Sequence, residues 1–479
     1  MHRFLVSAAH KSSGKTTLAI GLAAVLRERG LTVQPFKKGP DYIDPIWLAR
    51  AAGKPCTNLD FFLSSNDEIV AEYHRRGHGA DVRLVEGNKG LYDGLDLHGS
   101  NSNAALARLL DLPVVLVLDA RGMTRGIAPL ILGYQAFDPE LHIAGVILNR
   151  LGGHRHEAKL RAVIEHYTDV PVLGAVQEDA RLRLVERHLG LMPANEAADA
   201  DVRIADIADV VREQVDIDIL LRLTHTALRT PTPLPPAAID APRVRVAIAR
   251  DRAFGFYYAD DLDALRRAGA ELCFFDTLRD ARLPDCDALL IGGGFPESFL
   301  PELSANATLR EDIRAAIAGG LPTYAECGGL MYLARSIRDA AGRAYPMVGT
   351  IPGDVAMHAR PVGRGYVVLQ PTAAHPWRGG VASGTDAGSD FRAGQPALHA
   401  HEFHYSAIEH LPADTTYAYA VKRGHGLDGK NDGIVIGNLL ASYTHLRATA
   451  GCEWPAKFLA FARRVRSPAS SGEPASCSR

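Results

Sequence analysis

Near its start the chain runs Phe4-Leu5-Val6, then small polar residues, then an apolar-periodic stretch from about Thr16. That pattern predicts a short buried strand, a loop and a helix. It recurs through the first half, with apolar runs at 33–36, 82–85, 114–118, 146–148 and 172–173 separated by amphipathic helical stretches. Continuous apolar strands alternating with helices predict a parallel sheet covered on both faces. Ligands in such sheets bind beyond the carboxyl ends of the strands, so the informative polar residues are expected there. They are: KKGPDYIDP, EGNKGLYDG, DARGMTRG and NRLGG each follow a predicted strand.

The stretch RTPTPLPPAAIDAPR breaks the pattern, because closely spaced prolines neither propagate a helix nor pair centrally in a sheet. Beyond it RVRVAIAR predicts a strand, ADDLDALRRAG a helix and ELCFFD another strand, the start of a second α/β domain. After about Gly342 the chain becomes richer in strand, Gly and His. The expected organisation is a first domain over 1–228, a linker over 229–243, a second domain over 244–466 and a disordered polar tail over 467–479.

Composition narrows the function little. The 479 residues suffice for more than one core, and a formal net charge of −2 offers no electrostatic case for nucleic acid or an acidic membrane. No apolar run reaches membrane-spanning length, and the N-terminus does not read as a signal peptide. The six cysteines, Cys56, Cys273, Cys286, Cys327, Cys452 and Cys477, form no CxxC pair. With a nucleotide site in prospect, this reads as a reduced, cytoplasmic protein.

The first loop carries the chemistry. In Ala9–Thr16, AHKSSGKT, the GKT half of a phosphate-binding loop lies between a predicted strand and a helix. Loop amides and the helix N-terminus face an anion there. Lys15 reaches the terminal phosphates and the Thr16 hydroxyl serves Mg²⁺, while Lys11 offers a second cation. Lys11, Gly14, Lys15, Thr16 and Thr17 thus form the expected ATP-binding set. Glu86 ends the run RLVE and is a Walker-B-like metal partner beside Thr16 and Asp44. Asp41, Asp44 and Asp93 are the other acids on strand-end loops, readable also as helix or turn caps. Asn149, after IAGVIL, reads either as a base-edge contact or as a turn residue.

In the second half, LPTYAECGGLMYLA runs an apolar strand into Cys327, two glycines and a helix. This is a strand-to-helix elbow of the kind that exposes a nucleophile, with the helix N-terminus available to an oxyanion. His445, in LLASYTHLR, is the candidate base. Gly293 and Gly294, in LLIGGGFPES, together with Gly328, are the candidate oxyanion donors. His399, His401 and His404 read as substrate contacts or packing rather than as a metal site, lacking evident carboxylate or Cys partners.

In this order, the phosphate loop, GPDYIDP, EG-xx-GLYDG, GVILNR, GGGFPE, AECGG, HEFHYS and SYTHL resemble cobyrinic acid a,c-diamide synthases, over essentially 1–466. The resemblance implies an α/β architecture: an N-terminal parallel-sheet domain similar to dethiobiotin synthetase and a C-terminal class I glutamine amidotransferase domain. It implies an ATP- and Mg²⁺-dependent ligase that activates acetate carboxylates of an anionic tetrapyrrole as acyl phosphates. The a and c acetates are then amidated with ammonia released from L-glutamine at Cys327. It further implies that Asp41, Asp44, Glu86 and Asp93 lie in or near the ATP, metal and substrate site, and that His445 is the base for Cys327. A homodimer is left open.

Two features depart from the family pattern. Glutaminases of this class often carry Glu two residues after the His, where this chain has Arg447, so the third triad member is unassigned or the dyad works without it. Lys38 and Lys89 point toward relatives that amidate sirohydrochlorin or sirohaem, an alternative with the same chemistry. A reading of another class is a partition-type regulatory ATPase, favoured by Lys11 and opposed by the Cys327 elbow.

Overall fold

The computed structural model describes residues 1–187, 190–226, 243–377 and 397–466. The chain divides into two compact units, residues 1–235 and 236–479. The expected linker over 229–243, save its last residue, and the tail over 467–479 lie outside the described residues.

The first unit is built on seven strands: β1 (His2–Ala8), β2 (Val33–Lys38), β3 (Thr57–Leu59), β4 (Val82–Glu86), β5 (Val114–Asp119), β6 (Ile143–Leu151) and β7 (Val172–Gln177). Their order is β3-β2-β4-β1-β5-β6-β7, and every pairing is parallel. Five of the six strands expected from apolar runs are buried almost end to end, and β7 is buried along its middle. β3 escapes a pattern reading because TNL is too short and too polar to register.

Helix α1 (Lys15–Glu28) follows β1 and buries an unbroken run from Leu18 to Leu26. It packs against the Ala200–Gln214 helix so closely that a Cβ on Gly21 would stand 2.9 Å from Ile207 Cγ2. The carboxyl ends of β1, β2, β4 and β6 thereby bring the phosphate loop, the KKGPDYIDP segment, Glu86 and Asn149 to one edge of the sheet.

The second unit centres on a nine-stranded sheet. Five strands run parallel, in the order Ala270–Phe275, Val244–Ala249, Ala288–Ile291, Thr323–Glu326 and Leu439–Ser442. Four antiparallel strands extend them: Asn431–Ile436, Thr416–Arg423, Gly363–Pro371 and Leu398–His404. One face is closed by Leu300, Leu309, Ile313 and Leu330, the other by Leu265, Trp377, Trp454 and Phe458. Among the described residues no helix is long and apolar enough to cross a membrane.

Candidate active sites

At the end of β1 the chain enters the phosphate loop through two left-handed residues, Ser12 (φ 64°) and Gly14 (φ 89°). Only glycine fits position 14, since a Cβ there would collide with Asn149 Nδ2. That amide nitrogen donates to Ser13 O at 2.8 Å, and Asn149 Oδ1 accepts from Arg150 N at 3.0 Å. The Asn149 carboxamide therefore braces the loop backbone in this structure. Lys15 and Thr16 open α1, with Thr17 next along it. Lys11 is exposed at the loop tip, away from the acids.

The acids gather around a residue that pattern reading passed over. Lys37 is 1% exposed, and its Nζ lies 2.5 Å from Asp44 Oδ2 and 3.8 Å from Asp41 Oδ2, with Glu86 Oε2 equally close at hand. Thr16 Oγ1 donates to Glu86 Oε1 at 2.6 Å and stands 3.3 Å from Asp44 Oδ2. Lys15 Nζ is 4.0 Å from Glu86 Oε1. The only signal for Lys37 was its place as a lysine closing a buried strand, where a charge has to be paired.

Charge and burial compete in this cluster. Burial would neutralise Lys37, but Asp44 and Glu86 hold its ammonium well above the ordinary lysine range. Burial lowers Lys15, partly countered by Glu86. Burial raises Asp41, and Asp44 beside it adds to the effect, bringing it to about 7. Glu86 is raised by burial, while Asp44 is kept low by Lys37. Thr16, Asp44 and Glu86 converge as hard oxygen donors, the set that suits Mg²⁺.

Asp93 lies on the loop that follows β4. It is exposed, and its Oδ2 accepts from Gly90 N at 2.9 Å, closing the turn of the loop after β4. The same loop is anchored by Asn103, whose Nδ2 reaches Ser7 Oγ, Asn88 O and Gly90 O. Lys38 donates to Asn88 Oδ1 at 3.0 Å, and burial lowers it to about 8.

In the second unit Cys327 ends its strand with φ 48° and ψ −104°, immediately before the Gly328–Leu333 helix. Non-glycine residues rarely occupy that backbone region. The surroundings enforce it. A Cβ on Gly329 would strike the Ile291 carbonyl, one on Gly328 would lie 3.0 Å from Gly294 N, and one on Gly293 would lie 2.6 Å from His445 Cε1. The glycine loop and the elbow thus meet backbone to backbone, bringing Gly293, Gly294 and Gly328 around Cys327 and His445.

His445 is 2% exposed. Burial works against its charge, but hydrogen bonding and charge at Cys327 and Glu326 raise it to about 10. His445 Nδ1 lies 3.5 Å from Glu326 Oε2. His401 stacks on His445 with ring centroids 5.0 Å apart, and His404 stacks on Tyr443 at 4.0 Å. His399 is exposed. Arg447 turns from His445 to pair with Asp260, its Nη2 2.8 Å from Oδ2.

The CobB/CobQ-like glutamine amidotransferase domain model matches residues 245–451, and the CobQ/CobB/MinD/ParA nucleotide binding domain model matches residues 5–191. A cobyrinate a,c-diamide synthase of Magnetococcus marinus is 43% identical over 96% of this chain and 96% of its own length. One from Methanosarcina acetivorans is 40% identical over 94% and 93%, and one from Archaeoglobus fulgidus 39% over 93% and 94%. The chain belongs to the cobyrinate a,c-diamide synthase family. As in the family's domain pair, its first unit is a nucleotide-binding domain and its second a glutamine amidotransferase domain. It is an enzyme, an amide-forming ligase with glutamine as amido donor. The partition-type reading accounts for the first domain alone and leaves the second without a role.

Proposed function

We propose that the chain amidates the a and c acetate carboxylates of cobyrinic acid, using ATP in the first unit and ammonia released from glutamine in the second. The observation that carries this reading is the pairing of Cys327 with His445 at a strained elbow. A regulatory ATPase has no use for such a pair.

A carboxylate resists attack by ammonia because its leaving group is an oxide. Phosphorylation by ATP supplies a phosphate leaving group and calls for cations at the transferring phosphoryl. Lys15 serves there, and Thr16, Asp44 and Glu86 would hold Mg²⁺. When bound, the ion screens the phosphate charge. Lys37 pairs with Glu86 and Asp44 and aims them before ligands arrive. Asp41, with its pKa near neutrality, is suited to proton exchange beside the substrate carboxylate.

In the second unit the Cys327 sulfur attacks the glutamine carboxamide carbon, and the carbonyl oxygen gains negative charge. Amides of the Gly293–Gly294 loop and of Gly328 are the candidate donors to that oxygen. His445 gives a proton to the departing ammonia and takes one from the water that cleaves the glutamyl thioester. Ammonia then displaces phosphate from the acyl phosphate and loses a proton to give the amide.

The test is a panel of cobyrinic acid, sirohydrochlorin and sirohaem, each with ATP, Mg²⁺ and glutamine, read by mass spectrometry as acid-to-amide conversion. Two conversions on cobyrinic acid are expected. Conversion of a siro-type ring with cobyrinic acid untouched would overturn the assignment of the ring.

A further inference from the structure

The position two residues beyond His445 holds an arginine, so the usual source of an orienting carboxylate is absent. Arg447 is buried, spends its Nε and Nη2 on Asp260, and lies over the Tyr258 ring at 5.1 Å. A carboxylate there would instead face Asp260 and its neighbour Asp261, both buried. We propose that Glu326, the residue immediately before the nucleophile, is the positioning carboxylate for His445. The inference rests on the reading of Cys327 and His445 as the glutaminase pair.

The two oxygens of Glu326 divide their work. Oε1 accepts from Tyr324 OH at 2.5 Å and from Leu446 N at 2.9 Å, which locks the side chain between its own strand and the segment carrying the histidine. Oε2 is the oxygen turned to His445 Nδ1, at 3.5 Å. The opposite edge of the ring faces the glycine loop, where a Cβ on Gly293 would lie 3.4 Å from Nε2. Glu326 therefore fixes the tautomer with the proton on Nδ1 and leaves Nε2 to exchange protons at Cys327. Strand geometry makes this available at adjacent positions. Successive side chains leave opposite faces of a strand, but Cys327 sits at a sharp turn that redirects its own.

Other charged and titratable groups lie nearby. Cys327 and Glu326 touch the ring, His401 stacks on it, Tyr324 sits on Glu326, and Tyr258, Asp260, Asp261 and Arg447 lie behind His401 and Glu326. Of these, Glu326 is the carboxylate within reach of Nδ1.

The test uses the full-length enzyme and measures glutamine hydrolysis across pH for Glu326→Gln, Glu326→Asp, Tyr324→Phe and Cys327→Ala. Glu326→Gln keeps an acceptor for Tyr324 and Leu446 but loses the charge. Its kcat is expected to fall on the order of 10²–10⁴-fold with KM little changed. The basic limb of its kcat profile should move to lower pH, because the imidazolium has lost its stabilising charge. Glu326→Asp should recover part of the rate, and Tyr324→Phe, which removes one brace but keeps the charge and the Leu446 N contact, should move the profile less than Glu326→Gln. Should Glu326→Gln fail to fold by thermal melting, the Glu326→Asp rate and profile decide. An unshifted profile and near-normal kcat in the folded Glu326 variants, with Cys327→Ala inactive, would overturn the inference. Activity surviving in Cys327→Ala would overturn the glutaminase reading instead.

Discussion

The two reactive regions are prepared in opposite ways. Around Lys37 the preparation is chiefly electrostatic: three carboxylates and two ammonium groups gather beside a phosphate loop that makes its own left-handed turns at Ser12 and Gly14. Around Cys327 the preparation is geometric. A strained residue is held by glycine contacts too close for any side chain, and the Glu326–His445 pair is the one proposed to orient a ring. On the proposed roles, the comparison teaches that the phosphoryl site is readied chiefly by balancing charge and the thiol site chiefly by aiming atoms.

Substitutions can break that contrast. The largest effect is expected from Cys327→Ala, which should lower glutamine-dependent amidation by about 10⁴-fold or more while ammonium salts still support it, measured as amide formed with each nitrogen source. Equal loss with both donors would mean the two chemistries are not separate. Next, Lys37→Met leaves Glu86 and Asp44 buried without their cation. A destabilisation of about 3–5 kcal/mol is expected for an orphaned buried charge, read by denaturant unfolding of the first unit.

Gly329→Ala tests the geometric side, because its Cβ would meet the Ile291 carbonyl. A cost of about 1–3 kcal/mol is expected together with loss of glutaminase, whereas ATP binding, read by calorimetry, should stay normal. The smallest effect concerns Asp41. Its folded-state pKa is raised to about 7 by burial beside Asp44, so the folded state binds the extra proton between the ordinary carboxylate range and neutrality. Stability from this group is present at acid pH and falls as pH rises through that window. In Asp41→Asn the decline should flatten, with the Tm difference between variant and wild type growing from pH 4 toward pH 7. A constant difference would count against the charge-balance account.

Much of this was legible in the chain. Six apolar runs mark six of the seven strands in the first unit's parallel sheet, because a sheet covered on both faces must be apolar throughout. The elbow was legible because Cys-Gly-Gly after an apolar strand has few structural uses. Lys37 was not, because a lysine at a strand end looks solvated until the fold buries it among acids from two other segments. Asn149 read as a base contact or a turn residue, and its carboxamide is engaged by the loop backbone. Asp93 read either as an active-site acid or as a turn cap, and its carboxylate accepts from Gly90 N.

The division has a physical cause. Periodicity, glycine placement and the phosphate-loop spacing are local properties, and local sterics and burial carry them into strands, turns and a helix N-terminus. Which charges end up paired is not local. Lys37 meets Glu86 across β2 and β4, and Glu326 meets His445 in the segment that follows the neighbouring parallel strand, far away in sequence. Sheet register and the loops that leave it bring those atoms together, so the tertiary structure decided the charge pairings that the residue types had only made available.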